Sequence, residues 1–380
     1  MKMEEWKECK VKDITSLITK GTTPSMIGAN FTTNGIKFIK SECILENSRL
    51  LDSSKYTFIS SETNERLKRS QIIENDILFS MAGMFLGKTG IATKDDVPAN
   101  TNQAVAIIRI ISEKADFKYV YYFLNQKTLI TYINGISGQS AQPNINLQQI
   151  GDLEIKLPPL PTQQKIAAIL SSLDDKIELN NKINTNLEQQ AQALFKNWFV
   201  DGSEKSHTIG DYIVPKRGKN LLSKDAIPGE VPVVAGGLEP ATYHNTANTK
   251  APVLTISASG ANAGFVNLWN IPVWSSDSSY IDSEMTNDVY FWYILLKLRQ
   301  KEIFDSQTGS AQPHIYPQHI SVMPIAELDF NKVYKFTKQV TPFFEQIGAN
   351  QQENLRLIAL RDTLLPKLMN GEIEVDKVKL

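Results

Sequence analysis

The sequence predicts an α+β protein, with two similar globular α/β domains separated by two long helices packed as an antiparallel coiled coil, and with internal pseudo-two-fold symmetry. Segments recur in the same order in the two halves of the chain, and a helical pattern follows each copy. Proline and glycine border both helical patterns. The predicted boundaries are 1–157 for the first domain, 158–201 for the central helical region, 202–328 for the second domain and 329–380 for the C-terminal helical region.

The repeat consists of colinear matches between the two halves. In chain order they are residues 11–14 with Lys20-Gly21 against 209–212 with Arg217-Gly218, residues 77–83 with Gly87 against 253–260 with Gly264, residues 116–124 against 288–296, and residues 140–150 against 310–320. The last match contains a shared Ser-Ala-Gln-Pro, which alone means little because one such coincidence is expected in a chain of this length. Coincidence does not explain the preserved order, so we infer a duplicated domain.

The first helical region lies between the prolines that end at Pro161 and the glycine at 202, with Thr162 as the expected N-cap. The second region ends at Gly371, and Pro342 and Pro366 are expected to shorten or kink it. Both carry apolar residues three or four positions apart, which predicts a helix–helix seam. The predicted seam residues are Ile166, Ile169, Leu173, Ile177, Leu187, Leu194, Trp198, Phe344, Ile347, Leu355, Ile358 and Leu365.

Asparagine and glutamine interrupt the apolar stripe at Asn180, Asn184, Asn350 and Gln351. A buried amide in a helical seam fixes the register of the two helices, although it lowers their stability. At about 1.5 Å per residue, a helix over 162–199 would be roughly 57 Å long. This length exceeds one turn of B-DNA, roughly 34 Å. Two domains at the ends of such a spacer could face separate sites on one duplex.

Composition and charge exclude several classes of protein. The chain of 380 residues starts with a polar, acidic segment rather than an apolar leader, and its strongest apolar run, residues 105–111, is interrupted by Arg109. Two cysteines, Cys9 and Cys43, are too few for a disulfide framework or a four-cysteine zinc site and fit a reducing cytoplasm. The formal net charge of −1 argues against autonomous DNA binding, but not against binding through basic loops or together with partners.

Residues 82–89, Ala-Gly-Met-Phe-Leu-Gly-Lys-Thr, are the sharpest enzymatic motif because they fit a loosened phosphate-loop pattern. A phosphate loop needs a helix to begin at the threonine. Here the sequel reads as strand and turn, and the repeat has Phe265 and Val266 in place of Lys88 and Thr89. The segment therefore favours a strand-loop-strand with a tight glycine loop. Lys88 would then contact a DNA phosphate or remain a solvated hairpin lysine.

The sequence evidence for other kinds of catalytic site is weaker. The four histidines, His207, His244, His314 and His319, lack the i, i+4 helical spacing of a zinc site, and we expect no metal or cofactor site in this chain. Carboxylates such as Glu74 and Asp76 are too common to indicate a nuclease pair. We expect no catalytic residues.

The remaining candidate residues are suited to contacts with DNA. Basic, hydroxyl and amide side chains in the paired loops are types that contact phosphates and base edges, although each also has an ordinary role in turns. The predicted DNA-binding residues are Lys20, Thr22, Thr23, Ser25, Ser80, Lys88, Asn100, Asn102, Gln103, Lys216, Arg217, Lys219, Ser257, Ser259, Asn262 and Ser276.

Three segments resemble a known family: residues 157–166 (LPPLPTQQKI), residues 193–201 (ALFKNWFVD) and residues 360–373 (LRDTLLPKLMNGEI). They are similar to the helical regions of type I restriction-modification specificity subunits, and the Ser-Ala-Gln-Pro segments resemble the ends of that family's target-recognition domains. The resemblance covers essentially the whole chain, with specific motifs in the helical regions and weak ones in the recognition domains.

The resemblance implies a non-catalytic subunit whose two target-recognition domains each read one half of a bipartite, asymmetric DNA sequence across a gap set by the helices. It also implies two methylation subunits bound to this chain, with motor-nuclease subunits joining through them. The methyl donor, ATP and Mg²⁺ would then belong to those partners, and the complex would act in the cytoplasm. The alternatives are an enzyme that uses residues 82–89 on nucleotides, and a truncated family member acting as a scaffold or half of a dimer. The two complete copies argue against truncation.

Overall fold

A computed structural model describes residues 6–46, 48–137, 144–199, 204–309 and 312–378. The chain folds as two compact units, Met1–Glu178 with Asn354–Leu380, and Leu179–Glu353. The Ser-Ala-Gln-Pro segment 140–143, the glycine at 202, and Ser310-Ala311 lie outside the described residues. The predicted domain boundaries stay predictions, because the two units divide the chain within the long helices rather than at their ends.

The strands of the first unit are β1 (Lys7–Lys10), β2 (Thr15–Lys20), β3 (Ile36–Ile39), β4 (Thr57–Ile59), β5 (Ile77–Ser80), β6 (Thr89–Ile91), β7 (Ala99–Thr101), β8 (Val105–Ile110) and β9 (Glu154–Leu157). Its helices are α1 (Ser61–Arg66), α2 (Phe117–Leu124), α3 (Lys127–Ser137), α4 (Leu147–Gly151) and the beginning of α5 (Leu160–Phe199). The strands form an antiparallel sheet of order β2-β8-β5-β6, a sheet of order β4-β3-β7 and the pair β1-β9.

The strands of the second unit are β10 (His207–Thr208), β11 (Lys216–Arg217), β12 (Val231–Val234), β13 (Thr242–His244), β14 (Val253–Ser257), β15 (Val266–Trp269), β16 (Trp274–Ser275), β17 (Ser278–Asp282) and β18 (Pro324–Ile325). Its helices are the end of α5, α6 (Val289–Leu298), α7 (Gln300–Asp305), α8 (Pro317–Ser321) and most of α9 (Phe330–Met369), whose last part belongs to the first unit. The sheets have the orders β11-β17-β14-β15 and β13-β12-β16, with the pair β10-β18.

The duplication inferred from the sequence is present in the backbone of the two units. Strand for strand, the sheet orders are the same, and one strand pair in each three-stranded sheet is parallel. Isolated bridges join Ala82 to Asn144 in the first unit and Ser259 to His314 in the second, at positions that the repeat aligns. The two sequence copies therefore encode one fold twice.

An aromatic helix covers the four-stranded sheet in each unit. In the first unit, Tyr119 and Tyr122 of α2 are almost completely buried in one core with Ile77 and Phe79 of β5. In the second, Phe291 and Ile294 of α6 are fully buried in a core that includes Leu254 of β14. Burial of such side chains contributes roughly 1.5–3 kcal/mol each, which fixes helix and sheet against each other.

Within the second unit, α5 and α9 run antiparallel, as predicted. Asn350 Nδ2 donates to Asn184 Oδ1 at 2.7 Å, and further along α5 the rings of Phe195 and Phe336 are 5.5 Å apart. The numbers of the contacting residues rise along α5 as they fall along α9, which defines the antiparallel direction. The seam of this unit combines aromatic packing with an amide pair and with a bond at 2.8 Å from Asn180 Nδ2 of α5 to Glu353 Oε2 of α9.

The seam of the first unit carries charge. Arg361 Nη1 of α9 donates to Asp174 Oδ1 of α5 at 2.9 Å, and Tyr122 donates its hydroxyl to Asp174 Oδ2 at 2.5 Å. Both members of this ion pair are buried, with side chains 9% and 5% exposed. Burial alone would lower the pKa of Arg361, but the Asp174 and Asp362 carboxylates raise it above its usual range. Sequence patterns had placed only apolar residues and amides on this stripe.

Several details of the helices differ from the predictions. Helix α5 begins at Leu160, not after an N-cap at Thr162, and α9 is not shortened, since it runs for 40 residues through Pro342 and Pro366. Pro342 and Lys338 are both exposed, so water can satisfy the carbonyl group that the proline leaves without its helical partner. Gly371, with φ of 70°, terminates α9 as predicted.

The predicted seam residues are buried or half-buried, with one correction. Leu355 is 59% exposed. The neighbouring Asn354 and, two turns later, Arg361 are buried. Buried polar residues therefore interrupt the apolar period of α9, and Leu355 faces solvent.

Candidate nucleic-acid interface

In the first unit, the loops predicted to face DNA leave the four-stranded sheet on the same side, where β2 and β5 end and β8 begins. We call this side the edge of the unit. The last residue of β2, Lys20, pairs with Ala106 near the start of β8, and the last residue of β5, Ser80, pairs with Val105. Because the strands are antiparallel, the loop after β2, the loop before β8 and the β5–β6 loop emerge together. Sequence-distant segments thus form one continuous edge.

The exposed polar side chains of this edge are partly held by one another. Thr23 donates its hydroxyl to Gln103 Oε1 at 2.6 Å, which joins the loop after β2 to the loop before β8. Asn102 Oδ1 accepts from the main-chain N–H of Ala104 at 3.0 Å. Lys20 and Ser25 are exposed and Thr22 is half-buried. The edge presents a cation, hydroxyls and amides, the groups that contact phosphates and base edges.

A basic cluster that the sequence reasoning missed lies beside these loops. Arg66 Nη2 donates to the main-chain carbonyl of Ile27 at 2.5 Å, and Arg69 Nη2 donates to that of Lys20 at 3.3 Å. Both arginines and Lys68 are exposed. The density of basic residues in 66–69 was the available signal in the sequence. The position of this cluster beside the edge depends on long-range contacts, which the sequence does not reveal. This cluster adds phosphate-binding chemistry to the edge.

The second unit has the equivalent edge with different side chains. Arg217 at the end of β11 pairs with Ser279, and Ser257 at the end of β14 pairs with Ser278, the first residue of β17. Lys216, Arg217 and Lys219 are exposed. Arg217 Nη2 donates to Asp277 Oδ1 at 2.6 Å, and the hydroxyl of Ser259 donates to Asp277 Oδ2. Asn262 is half-buried in the β14–β15 loop.

A glycine anchors each edge by a close approach of the backbone. A Cβ on Gly21 would collide with the main-chain carbonyl of Thr101, and a Cβ on Gly218 would lie 2.5 Å from the carbonyl oxygens of Ser275 and Ser276. Their main-chain N–H groups donate to Asn102 at 3.0 Å and to Ser278 at 2.8 Å. The repeated Lys20-Gly21 and Arg217-Gly218 therefore place a cation directly before a locked backbone position.

Four predicted contact residues lie inside the protein. Ser80 and Asn100 have no exposed surface, and Ser257 and Ser276 are each 3% exposed. Asn100 is held by Ser70, Asn64 and the carbonyl of Leu67, and Ser276 Oγ accepts from the N–H of Leu221 at 2.9 Å. Asn100 and Ser276 hold their loops through these bonds, and all four side chains are too buried to contact a duplex in this conformation, which corrects the prediction of direct contact for these four residues.

The phosphate-loop alternative does not match the geometry. After the turn at Gly83–Phe85, Thr89 begins β6 instead of a helix, and its buried hydroxyl accepts from Asn125 Nδ2. Lys88 Nζ lies 3.0 Å from Glu46 Oε2, over the ring of Phe85. No helix N-terminus is present to bind a phosphate group here. The segment is the strand-loop-strand that the sequence favoured.

Asp277 is the residue of the second edge that sequence reasoning overlooked. Its main-chain carbonyl accepts from the N–H of Ala258 at 3.1 Å, as the carbonyl of Ala104 accepts from that of Met81 at 2.8 Å in the first unit. Asp277 and Ala104 are therefore equivalent. The two copies share this main-chain bond of the edge but not the side chain at this position.

The described residues contain neither a metal-binding cluster nor a membrane-spanning helix. No group of three or more histidine, cysteine, aspartate or glutamate side chains there is arranged to hold a metal ion. No helix in the same residues is long and apolar enough to cross a membrane.

Comparisons with known proteins agree with this architecture. Residues 3–189 match the family described as type I restriction modification DNA specificity domain. The chain is 28% identical to the type I restriction enzyme MjaIX specificity subunit of Methanocaldococcus jannaschii, across 99% of this chain and 95% of the relative. It is 24% identical to the HindI specificity subunit of Haemophilus influenzae, across 98% of this chain and 100% of the relative.

A solved structure shows the same fold. The crystal structure of a type I restriction-modification S subunit from M. genitalium superposes with a TM-score of 0.56 at 20% identity, covering 96% of each chain. The family match, the full-length relatives and the repeated fold together confirm the predicted family and the prediction that this is a specificity subunit rather than an enzyme. Residues 3–189 belong to the DNA specificity domain family of type I restriction-modification systems, and the chain is similar along its whole length to the specificity subunits of those systems.

Proposed function

We propose that this chain reads a bipartite, asymmetric DNA target, with one half-site for each domain, and scaffolds the methylation and restriction subunits. The observation that carries the proposal is the repeated sheet edge, in which one backbone framework presents different polar side chains in the two units. A duplicated framework predicts two readers, and unlike side chains predict unlike half-sites. The long helices would set the unread gap between them.

The first edge is the better supplied with cations. Lys20, Arg66, Lys68 and Arg69 are exposed in or beside its loops, and Gln103 and Asn102 offer amides for base edges. The second edge has Lys216 and Lys219 for phosphates, and Asp277 balances the charge of Arg217. With a formal net charge of −1 for the whole chain, most of the remaining phosphate contacts would come from partner subunits.

The proposed complex contains two methylation subunits bound to this chain, with motor-nuclease subunits joining through them. Adenine methylation and ATP-driven cleavage would be carried out by those partners, which would hold the methyl donor, ATP and Mg²⁺. We place the complex in the cytoplasm, where its DNA substrate is. The proposed role of this chain is to position double-stranded DNA and partners.

The test is to express this chain with its methylation subunit and to map methylated adenines in the host genome by long-read sequencing. We expect one motif with two defined parts and a gap of fixed length, absent when the methylation subunit is expressed alone. Scattered methylation without a motif, or a single continuous motif, would contradict the bipartite reading.

A second experiment separates readers from spacer. Inserting one helical turn after Leu187, which lies in α5, should change the gap and leave both half-sites unchanged. The matched variant replaces residues 202–328 with the corresponding domain of another specificity subunit and should change one half-site only. A changed half-site after the helix insertion would contradict the division of roles.

A further inference from the structure

The Arg217–Asp277 pair of the second edge is fixed from both sides. The two oxygens of the Asp277 carboxylate have different partners: Oδ1 accepts from Arg217 Nη2 at 2.6 Å, and Oδ2 accepts from the Ser259 hydroxyl. The main chain of Asp277 is bonded to Ala258 at 3.1 Å. The carboxylate therefore has one orientation, and it transfers that orientation to the guanidinium group.

The backbone that carries Arg217 is equally constrained. Arg217 pairs with Ser279 in the sheet, and the next residue, Gly218, is pressed against the carbonyl oxygens of Ser275 and Ser276 at a distance that excludes any side chain. The N–H of Lys219 donates to the carbonyl of Ser275 at 2.9 Å. Both ends of the arginine side chain are thus held before any ligand binds, which lowers the entropy lost on binding.

The charge of the pair argues against a phosphate contact. The Asp277 carboxylate neutralises Arg217 and would repel a phosphate group placed beside it. Lys216 and Lys219, on either side of Arg217 and Gly218, are exposed and have no ion-pair partner in the part of the chain that the structure describes. These lysines are the suitable phosphate contacts, which leaves Arg217 for another role.

Arg217 retains donors for that role. Its side chain is 42% exposed, and its Nε and Nη1 groups have no hydrogen-bond partner among the described residues. A planar guanidinium group with free N–H groups matches the O6 and N7 acceptors of guanine in the major groove. We propose that Arg217, oriented by Asp277, reads a guanine in the half-site contacted by the second domain, an inference that rests on the proposed function.

The first domain lacks the equivalent of the Arg217–Asp277 pair at the matching positions. Its equivalent positions are Lys20, which pairs with Ala106 as Arg217 pairs with Ser279, and Ala104, which replaces Asp277. A lysine is a point charge without the fork of arginine, and alanine cannot orient it. The two half-sites therefore differ at this position, and this contact to a guanine belongs to the second half-site alone.

The experiment uses the complex of this chain with its methylation subunit. Methylation motifs and binding to synthetic duplexes are compared for the original chain, Arg217→Lys, Arg217→Ala and Asp277→Asn, with Lys219→Ala as the control. We expect a guanine in one half-site, whose preference over other bases falls roughly 10- to 100-fold in both Arg217 variants. Asp277→Asn should weaken the preference at the same base pair by a smaller factor.

The salt dependence of binding distinguishes base reading from phosphate contact. The slope of log K against log salt should stay unchanged in Arg217→Lys, whereas Lys219→Ala should reduce its magnitude by about 0.9 and leave the motif intact. The lysine variant keeps the charge and the fold, so the test does not depend on Arg217→Ala folding.

Specific outcomes would overturn the inference. A defined motif that both Arg217 variants leave unchanged, or a second half-site without any G·C pair, contradicts guanine reading while the proposed function stands. If Arg217→Ala reduces the magnitude of the slope of log K against log salt by about 0.9 and leaves the motif unaltered, Arg217 contacts a phosphate instead. The absence of any sequence-specific methylation by the complex overturns the proposed function and this inference with it.

Discussion

The two copies of the domain agree in their backbones and differ in their polar side chains. At the sheet edge, Ala104 and Asp277 make the same main-chain hydrogen bond, but only the aspartate binds an arginine. The helical seams show the same difference, with the Asp174–Arg361 ion pair in the first unit and the Asn184–Asn350 amide pair in the second. Duplication preserved the framework, while the positions that meet ligands or the opposite helix diverged.

The largest expected difference between the copies concerns the stability of the two seams. Arg361→Met leaves the buried Asp174 carboxylate without its cation and should lower the free energy of unfolding by about 3–5 kcal/mol. Asn350→Leu, the matched change in the second seam, removes two neutral hydrogen bonds, to Asn184 and from Gln346, and should cost about 2 kcal/mol. The midpoint of urea unfolding measures both. Equal losses would contradict the distinction between a buried ion pair and an amide pair.

A second prediction tests what the copies share. Gly21→Ala and Gly218→Ala each place a Cβ against main-chain carbonyl groups, which should destabilise the affected domain by about 1–3 kcal/mol. Gly135→Ala is the control, because nothing lies within 4 Å of the Cβ it adds and its φ is not in the left-handed region. Methylation mapping should show the first variant relaxing one half-site and the second the other. Two variants that relax the same half-site would break the equivalence of the edges.

The sequence predicted the framework well for physical reasons that are local or repeated. The matching segments 116–124 and 288–296 marked the repeat that contains the equivalent helices α2 and α6, and Gly87 and its repeat partner Gly264, which indicated a tight loop, both have positive φ. Contacts between distant segments were not accessible. The pattern gave no reason to bury Asn100 or Arg361, because each is held by partners far along the chain or in an opposite helix. Asp277 became recognisable only when its register against Ala104 was known.

A third prediction concerns pH and the charged seam. Burial would raise the pKa of Asp362, but Lys127 and Arg361 hold it below its usual range. A carboxylate with a lowered pKa in the folded state stabilises the protein above its unfolded pKa, about 3.9, and this contribution is lost as the pH falls through the lower folded value. Urea midpoints of the original chain and Asp362→Asn should therefore differ at pH 7, and the difference should begin to shrink below about pH 4 and vanish below the folded pKa of Asp362. A difference independent of pH would contradict this electrostatic role.

The smallest expected effect concerns Lys88, where the second copy has Phe265. Lys88 is bonded to Glu46, whose side chain is 71% exposed, so Lys88→Gln should change the free energy of unfolding by less than about 1 kcal/mol. If Lys88 exchanges Glu46 for a DNA phosphate, the salt slope of binding should fall by about 0.9 with the motif unchanged. Glu46→Gln is the matched control, because it frees the lysine and should strengthen binding at low salt. An unchanged slope in Lys88→Gln would leave this lysine as a surface ion pair and would make Lys20 and the Arg66–Arg69 cluster the phosphate contacts of the first edge.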